Sequence, residues 1–540
     1  MAVKAFRLTN FMAFGEWANE DDGWIELRPI TLLFGRNSSG KSTILRALRF
    51  LRQSLDGGPH GSPFVYSERD GVDVGGFLTM AHRGPDVKVT PGQYVFYNSD
   101  SSWLSGKRRV EFAFRLDVPN YQLSGPIPDL QYFDGLTDIE LKVAYGWLAD
   151  ANPPRAGLMS AVVQVAEGGP ILFEVERLRP DPEVAGPVDW YFGSKVLFDH
   201  EGDLKGDLSE QSDDIANADL WDVMSPEDAR RGFLPVLNLT DPANWRYANN
   251  DMRFTQRLLI RIQSTISDFL KGVEHIRPLR PEPKRVFLLD GPEQERWQRQ
   301  GRVAYLHFLR NELPSTARTQ LNKWLSALEL GQEAVLTDFL KAHEAGYGVR
   351  PAGVASAVEI VEANGNQVNL GDVGYGAAQV IPVIVQSVLA SEGTLTLIEQ
   401  PELHLHPQAQ AALGDLFIDR VHKSSDIRFL IESHSEHLLL RLRRRIAETS
   451  VEALLGDDGK PPRNKGYNLY WDEFGLLFIE RNPESGSSTI ETVTVDHLGQ
   501  LVSPSEEFRE FFDDDFDEAV ELAKAKALIA AAEAQHGFKG

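Results

Sequence analysis

The stretch Gly35-Arg36-Asn37-Ser38-Ser39-Gly40-Lys41-Ser42, followed by Thr43, reads G-x-x-x-x-G-K-S and decides the fold. The apolar run at 30–34 predicts a β-strand before it, and apolar residues at helical spacing from 44 to 55 predict a helix after it. The glycines allow a turn in which backbone N–H groups point at a phosphate, and the helix N-terminus adds positive potential. Lys41 would place a cation on the outer phosphates, and the Ser42 hydroxyl can ligate magnesium. We therefore predict a nucleotide phosphate site at residues 35–43.

The composition narrows the class of protein further. The chain has 540 residues, of which 42% are hydrophobic, and 55 Lys and Arg against 79 Asp and Glu give a formal net charge of −24. It contains no cysteine, which excludes disulfides, thiolate metal sites and cysteine nucleophiles. No apolar run approaches the roughly 20 residues of a membrane span, and the N-terminus lacks a secretory signal pattern. We expect a cytoplasmic globular protein without membrane contact, and the charge argues against indiscriminate wrapping of nucleic acid.

Three later segments indicate which kind of nucleotide enzyme this is. An apolar run at 395–398 ends in Glu399-Gln400-Pro401-Glu402, where a nucleotide enzyme needs a carboxylate for magnesium. About 20 residues earlier, small residues at 371–379 would let backbone N–H groups approach a phosphate. A strand predicted at 428–431 is followed by Glu432-Ser433-His434-Ser435, which puts a histidine at its C-terminal edge. Phosphate loop, small-residue loop, acidic strand and strand with histidine is the order of an ABC-type ATPase head.

On these motifs the sequence resembles the ABC-type ATPases of the RecF, SMC and OLD (overcoming lysogenisation defect) group. Within that group it is similar to standalone bacterial ATPases that carry EQPELHLHP, here at 399–407, and ESHSEHLLLRLRR, here at 432–444. ATPases of anti-phage systems such as Septu have the same plan. The resemblance covers residues 1 to about 80 and 270 to about 480, including HIRPLR at 275–280.

The resemblance implies a role for each motif. Residues 35–43 become Walker A, residues 374–379 the signature loop, residues 404–407 the D-loop region and His434 the switch histidine. It implies ATP and Mg2+ as cofactors, with Ser42 and Glu399 at the metal. The residues implied to act in catalysis are Lys41, Glu399, Gln400, Glu402 and His434. The residues implied to contact the nucleotide are Gly35, Arg36, Asn37, Ser38, Ser39, Gly40, Lys41, Ser42 and Thr43, with Gly376, Ala377, Ala378 and Gln379 of the signature loop.

Two positions depart from the pattern of these families. The usual acidic pair at the end of Walker B is here Glu399-Gln400, and a glutamine cannot accept a proton. It can still orient an attacking water, so we expect slow hydrolysis assisted by Glu402 or by a water chain. The signature segment Gly376-Ala377-Ala378-Gln379 lacks the serine that usually lies beside the γ-phosphate.

The sequence has one Walker A motif and one signature segment. In ABC heads each nucleotide lies between the Walker A of one head and the signature of another, so a complete site requires a second chain. A two-fold homodimer with two shared sites is the simplest closed arrangement. ATP would then join the interface, and its hydrolysis would open the dimer.

The expected fold is α/β: a P-loop NTPase of ABC-ATPase type with an antiparallel β subdomain and a large mixed β and helical insertion. We expect the N-terminal part of the head at 1–90 and a β-rich, then irregular insertion at 91–250. A helical insertion would follow at 251–350, the C-terminal part of the head at 351–480, and an acidic segment with a helix at 481–540.

Three functions are compatible with this reading. The first is the switch or sensor subunit of an anti-phage defence complex that controls a separate effector, expected to be a nuclease. The second is a DNA-repair or chromosome-maintenance ATPase, and the third is a non-hydrolysing scaffold that uses bound ATP structurally. Acidic residues at 506–521 read as a solvated or docking segment rather than a nuclease site. Arginines that read as solvated helix faces or as a DNA contact are Arg46, Arg49, Arg52, Arg441, Arg443, Arg444 and Arg445.

Overall fold

The structure is a computed structural model. It describes residues 1–59, 62–68, 71–82, 109–117, 138–148, 155–166, 171–177, 190–193, 234, 250–278, 280, 285, 287–288, 314–340, 354–423, 426–455 and 467–511. The strands in the first half are β1 (Ala2–Thr9), β2 (Trp24–Glu26), β3 (Ile30–Phe34), β4 (Val110–Asp117), β5 (Asp138–Leu148), β6 (Arg155–Val165), β7 (Ile171–Arg177), β8 (Trp190–Gly193) and β9 (Val273–Ile276). The later strands are β10 (Phe287–Leu288), β11 (Glu333–Leu340), β12 (Val354–Val361), β13 (Gln367–Asn369), β14 (Leu395–Glu399), β15 (Arg428–Glu432), β16 (Phe474–Arg481), β17 (Ser488–Thr492), β18 (Thr494–Val495) and β19 (Leu501–Val502). The α-helices are α1 (Lys41–Gln53), α2 (Phe77–Met80), α3 (Asn250–Lys271), α4 (Ser315–Ala327), α5 (Tyr375–Leu389), α6 (Pro407–Lys423) and α7 (Glu436–Leu455).

The central sheet has six strands in the order β17-β16-β3-β15-β14-β9. All neighbours pair in parallel except β17, which is antiparallel to β16. Both β3 and β15 are buried along their whole length, as expected for parallel strands that carry helices on both faces. The sheet therefore directs the C-terminal ends of β3, β14 and β15 to one common edge.

Alternate residues of these parallel strands face two different hydrophobic cores. Leu33, Leu397 and Leu430 pack in one core with α1 and α3. Phe34 and Ile431 pack in the other core, which also receives residues of α4, α5, α6 and α7. Because strand side chains alternate, Glu399 and Glu432 continue the rows of Leu397 and Leu430 and lie on the α1 side of the sheet.

A second sheet, antiparallel and ordered β2-β1-β4-β5-β6-β7-β8, covers the other side of α1. Its alternating positions Val110, Phe112 and Phe114 are buried, and the rings of Phe50 on α1 and Phe112 lie 6.5 Å apart between centroids. The alternation in the sequence predicts these antiparallel strands, and the structure confirms them. A smaller sheet has the order β10-β12-β11, with β13 paired to β12.

The central sheet includes strands from two regions that the expected domain boundaries place outside the ATPase head. The region 251–350, expected to be a helical insertion, contributes the edge strand β9 and also contains β10 and β11. The region 481–540, expected to be an acidic segment with a helix, contributes β17 at the opposite edge. Most of the acidic run and the predicted terminal helix lie outside the described residues. Among those that are described, no helix is long and apolar enough to cross a membrane.

Candidate functional site

The phosphate loop joins β3 to α1 and rests against β16 and β17. Gly35 and Gly40 have φ angles of +144° and +111°, which L-residues rarely adopt. A side chain at Gly35 would overlap the carbonyl oxygen of Ile479, and one at Gly40 would come within 2.8 Å of Ser488 Oγ. The two glycines of the motif are thus required both for the turn and for its contact with neighbouring strands.

The phosphate loop and the start of the helix after it contain polar groups that could bind an anion. Helix α1 starts at Lys41 with Gly40 as its N-cap, and no side chain caps its first turn. Uncapped N–H groups at a helix start attract anions. Ser39 Oγ is buried and has no hydrogen-bond partner within the described part of the chain. A buried hydroxyl without a partner is costly, so this loop fits a phosphate that accepts hydrogen bonds there.

Lys41 lies inside this cradle. The residue is only 3% exposed, and Nζ donates to the carbonyl oxygens of Gly35 at 2.7 Å and Arg36 at 2.8 Å. Burial lowers the pKa of Lys41, and the negative charge of Glu432 acts in the opposite direction. The ammonium is therefore held by the loop carbonyls, at the place where it can meet phosphate oxygens.

Ser42 points at a carboxylate that the sequence motifs did not single out. Its hydroxyl donates to Glu432 Oε2 at 2.8 Å and lies 3.1 Å from Oε1. Glu432 is the last residue of β15, the strand next to β3, and is 6% exposed. Burial raises the pKa of Glu432, while the hydrogen bond from Ser42 lowers it. The signal was present in the sequence, because an acidic residue ends an apolar strand there, but only strand order puts it beside Ser42.

Glu399 occupies the same position on the next strand. It is paired in register with Glu432 across β14 and β15. Its Oε1 is hydrogen-bonded at 2.6 Å to Nε2 of His275 on β9, and its backbone oxygen accepts from Arg280 Nη2 at 3.0 Å. Burial lowers the pKa of His275, against the effect of its hydrogen bond to Glu399. His275 and Arg280, both in the HIRPLR segment, therefore position this end of β14.

The chain turns sharply after Glu399. Gln400 has a φ of +45°, and its N–H donates to the carbonyl of Glu432 at 2.7 Å. Glu402 is 7% exposed, and its Oε1 accepts from the backbone N–H of His434 at 2.7 Å. Its Oε2 is buried with no hydrogen-bond partner among the residues described, and burial raises the pKa of Glu402. Burial lowers the pKa of His434, and the positive charge of Lys41 lowers it further.

The expected signature segment packs against its own chain. Gln379 is 2% exposed; its Oε1 accepts from the Arg280 N–H at 3.2 Å and its Nε2 donates to the Arg280 carbonyl at 2.9 Å. A side chain at Gly376 would overlap the carbonyl of His404. Ala377 is also buried. The side-chain amide of Gln379 is thus already used inside the chain, and this arrangement argues against its expected contact with phosphate.

The arginines of α7 are also used inside the chain. Arg441 and Arg445 pair with Asp415 of α6 at 2.5 Å and 2.7 Å, and Arg445 is only 5% exposed. Arg443 donates to the backbone of the hairpin formed by β18 and β19, and Arg444 pairs within α7. This cluster therefore offers nucleic acid much less free positive charge than its sequence suggests.

The residues at the sheet edge suit a magnesium nucleotide. Over the described ranges, no three histidine and acidic side chains form a group that could hold a metal ion. Mg2+ in phosphoryl-transfer sites needs no such group, because one or two protein ligands, phosphate oxygens and waters complete its shell. Ser42 with a neighbouring carboxylate meets that requirement, and the glycine cradle and Ser39 meet that of the phosphates.

Comparison with known families agrees with this geometry. Residues 30–109 and 209–441, more than half of the chain, match the family described as "AAA domain, putative AbiEii toxin, Type IV TA system". The chain belongs to this family. With the strand, phosphate loop and helix seen here, it has the α/β fold of a P-loop ATPase of the AAA type, with an antiparallel β subdomain.

Solved structures that align with the chain include heads of SMC proteins. One is an SMC head bound to the C-winged helix domain of ScpA, with 10% identity and a TM-score of 0.36, covering 92% of this chain and 99% of that one. Another is the SMC head domain from Thermotoga maritima, with 10% identity and a TM-score of 0.32, covering 91% and 99%. A search of curated protein sequences gives no significant match. The family match alone assigns the chain.

Proposed function

We propose that the chain is a nucleotide-driven switch that binds ATP with Mg2+ at residues 35–43 and hydrolyses it slowly. The observation that carries this proposal is the meeting of the phosphate loop with the acidic edge of the sheet. Ser42 at the start of α1 lies 2.8 Å from Glu432, and Glu399 is the register partner of Glu432. P-loop ATPases need this combination of a phosphate cradle, a hydroxyl and a carboxylate.

Different residues would bind the phosphates, bind the cation and orient the attacking water. Bound ATP with Mg2+ would supply the transferable phosphoryl group and the positive charge that offsets its oxygens. Lys41 and the N–H groups of the loop would hold the phosphates, and Ser42 with a carboxylate at the sheet edge would hold the cation. Gln400 can orient a water but cannot take its proton, which accounts for the slow turnover that we propose. Glu402, two residues after Gln400, is the acidic residue that we propose assists.

We also propose that two copies pair around the nucleotide. Helix α5 begins at Tyr375, and no side chain caps its start. Its N-cap residue Gly374 is exposed and leaves open space where a Cβ would be. An exposed helix start with N–H groups is suited to a phosphate held by a second copy. The signature segment would then bind the phosphate through its backbone N–H groups, although the side chain of Gln379 is buried within its own chain. Loss of the nucleotide would then separate the copies.

For the biological role, we propose a switch or sensor subunit of an anti-phage defence complex with a separate effector, a nuclease. The family description names a putative toxin of a type IV toxin–antitoxin system, and from this description we infer a place in a defence system. A non-hydrolysing scaffold is the second candidate, and the observation that favours it is Gln400 at the position of the usual acid.

The test compares nucleotide binding and mass in solution for wild type, Lys41→Ala and a control, Lys423→Ala. Lys423 is exposed at the end of α6 and pairs with Asp419. Loss of one charged hydrogen-bond donor costs about 1.5–3 kcal/mol, so Lys41→Ala should weaken ATP binding roughly ten- to hundred-fold. Light scattering should show ATP-dependent dimers of wild type and of the control but not of Lys41→Ala. If wild type binds no ATP, or if Lys41→Ala behaves like wild type, the proposal is wrong.

The scaffold and the hydrolysing switch differ in product release. Phosphate release from wild type with Mg2+, absent in Lys41→Ala, supports the switch. ATP-dependent dimers that persist for hours without phosphate release support the scaffold. Purification from cells together with the neighbouring gene products then tests for the effector, whose nuclease activity should change with the nucleotide state.

A further inference from the structure

The acidic edge of the sheet holds two carboxylates in equivalent positions but with different partners. Glu399 and Glu432 end neighbouring parallel strands, are paired in register and lie on the α1 side of the sheet. Backbones of adjacent strands are about 4.8 Å apart, so either residue could reach a cation near the start of α1. Their hydrogen bonds show which one is directed there.

Glu432 is directed at the phosphate loop. Its strand lies directly beside β3, and both carboxylate oxygens are within 3.1 Å of Ser42 Oγ. It is 6% exposed, so water can solvate its charge only in part. The positive charge of Lys41 attracts it, while Glu399 and Glu402 repel it. A buried carboxylate in such surroundings is stabilised by a cation that it can contact.

Glu399 is directed the opposite way. Its strand is one position further from β3, and its Oε1 is held at 2.6 Å by His275 on the far neighbour β9. His275 itself is nearly buried, with a side chain 9% exposed. A hydrogen bond this short between two confined side chains fixes the orientation of the carboxylate. Glu399 is therefore oriented by His275, whereas Glu432 is oriented by the hydroxyl that is expected at the metal.

We propose that Glu432, rather than Glu399, is the carboxylate that contacts the divalent cation beside Ser42, with Glu399 acting from the outer shell. The proposal rests on the function proposed above, because it assigns a ligand of the same magnesium nucleotide site. Ser42 and Glu432 approach the cation from the start of α1 and from the end of β15. Glu399, fixed by His275, reaches the cation only through water. This division lets a chain with Gln400 in place of the usual acid keep two carboxylates at its nucleotide.

The decisive experiment measures the affinity for a fluorescent ATP analogue with Mg2+ and, separately, with EDTA. The variants are Glu432→Gln and, for comparison, Glu399→Gln, which removes the same charge one strand away. Loss of a residue that only supports a metal ligand typically costs about 10–100-fold in metal affinity, and loss of a residue that contacts the metal costs at least as much. Glu432→Gln should therefore weaken binding with Mg2+ by about that factor and leave binding with EDTA unchanged or tighter. Glu399→Gln should weaken binding with Mg2+ clearly less than Glu432→Gln does, because Glu399 acts from the outer shell.

Reversed effects of the two variants, or equal effects, would overturn the assignment. Absence of nucleotide binding by wild type in both buffers would instead overturn the proposed function, so the two failures are distinguishable. A second measurement uses Mn2+ in place of Mg2+, with the electron paramagnetic resonance of the nucleotide-loaded protein as readout. Ser42→Ala and Glu432→Gln should each weaken Mn2+ binding, and the double variant should lose less than the sum, because both contact one ion.

Glu432→Asp covers the case in which Glu432→Gln does not fold. It keeps the charge but shortens the side chain by one methylene, so Mn2+ affinity should fall while binding with EDTA stays the same. A Glu432→Asp variant with wild-type Mn2+ affinity, beside a Glu399→Asp variant that loses it, would contradict the proposal.

Discussion

Gln379 provides the sharpest test of how the signature segment works. The resemblance implies that it contacts phosphate, whereas in the structure both ends of its side-chain amide are bonded to the backbone of Arg280, at 3.2 Å and 2.9 Å. Gln379→Ala removes both hydrogen bonds at a site that is 2% exposed. Each buried polar group that loses its partner costs about 1–3 kcal/mol, so the variant should lose about 2–6 kcal/mol of unfolding free energy.

The measurement is equilibrium unfolding in urea, followed by tryptophan fluorescence and fitted for its first transition. Gln408→Ala is the matched control, because Gln408 is exposed and its side-chain Nε2 donates to the exposed Glu329 at 2.9 Å. Exposed substitutions of this kind change the unfolding free energy by about 0.5 kcal/mol or less. Gln379→Glu keeps the acceptor for the Arg280 N–H but loses the donor to its carbonyl and buries a charge. It should therefore be destabilised at least as much as Gln379→Ala.

The opposite pattern would refute the structural role of Gln379. If Gln379→Ala unfolds within about 0.5 kcal/mol of wild type and yet abolishes ATP-dependent dimerisation, the side chain acts on the nucleotide. In that case the pairing with Arg280 would be a resting arrangement that opens when two copies meet. A destabilised variant that still dimerises with ATP would confirm that the signature segment works through its backbone.

Two more substitutions test the acidic edge. Gln400→Glu restores a proton acceptor at the end of β14. Because general bases contribute about 10²–10⁴-fold to a rate, phosphate release should rise by at least about tenfold. An unchanged rate would show that another group takes the proton. Burial raises the pKa of Glu402 in the folded chain, so the folded state keeps the proton longer and loses stability as pH rises from the ordinary glutamate range through the raised value. Glu402→Gln removes that loss, so its thermal unfolding temperature should rise relative to that of wild type as the pH increases from the ordinary glutamate pKa upward. A difference between the two that shrinks as the pH increases would contradict the raised pKa.

Much of the phosphate site is readable from short-range sequence. Gly35, Gly40, Lys41 and Ser42 act through a turn and the first turn of one helix, so their spacing alone fixes their relation. The alternating residues of β4 likewise predict an antiparallel strand, since one face of that strand is buried. Both features depend on residues close together in the chain, so the rules for turns and for periodic burial are enough to predict them.

The acidic edge could be predicted only in part. The sequence marks Glu399 and Glu402 as carboxylates after an apolar strand, but it does not give the order of the strands. Glu432 lies beside Ser42 because β15 is placed between β3 and β14. His275 meets Glu399 because β9, 124 residues earlier in the chain, forms the edge next to β14. No periodicity within either segment contains that information.

By itself, then, the sequence determined the phosphate loop, the alternation of the antiparallel strands and the acids that end β14. Those features depend on residues a few positions apart, whose geometry follows from helix, strand and turn dimensions. Only the tertiary structure decided that Ser42 donates to Glu432, that His275 is hydrogen-bonded to Glu399, and that the backbone of Arg280 pairs with the side-chain amide of Gln379. These contacts join segments separated by about 100 to 400 residues, and burial in a shared core, rather than local spacing, brings them together.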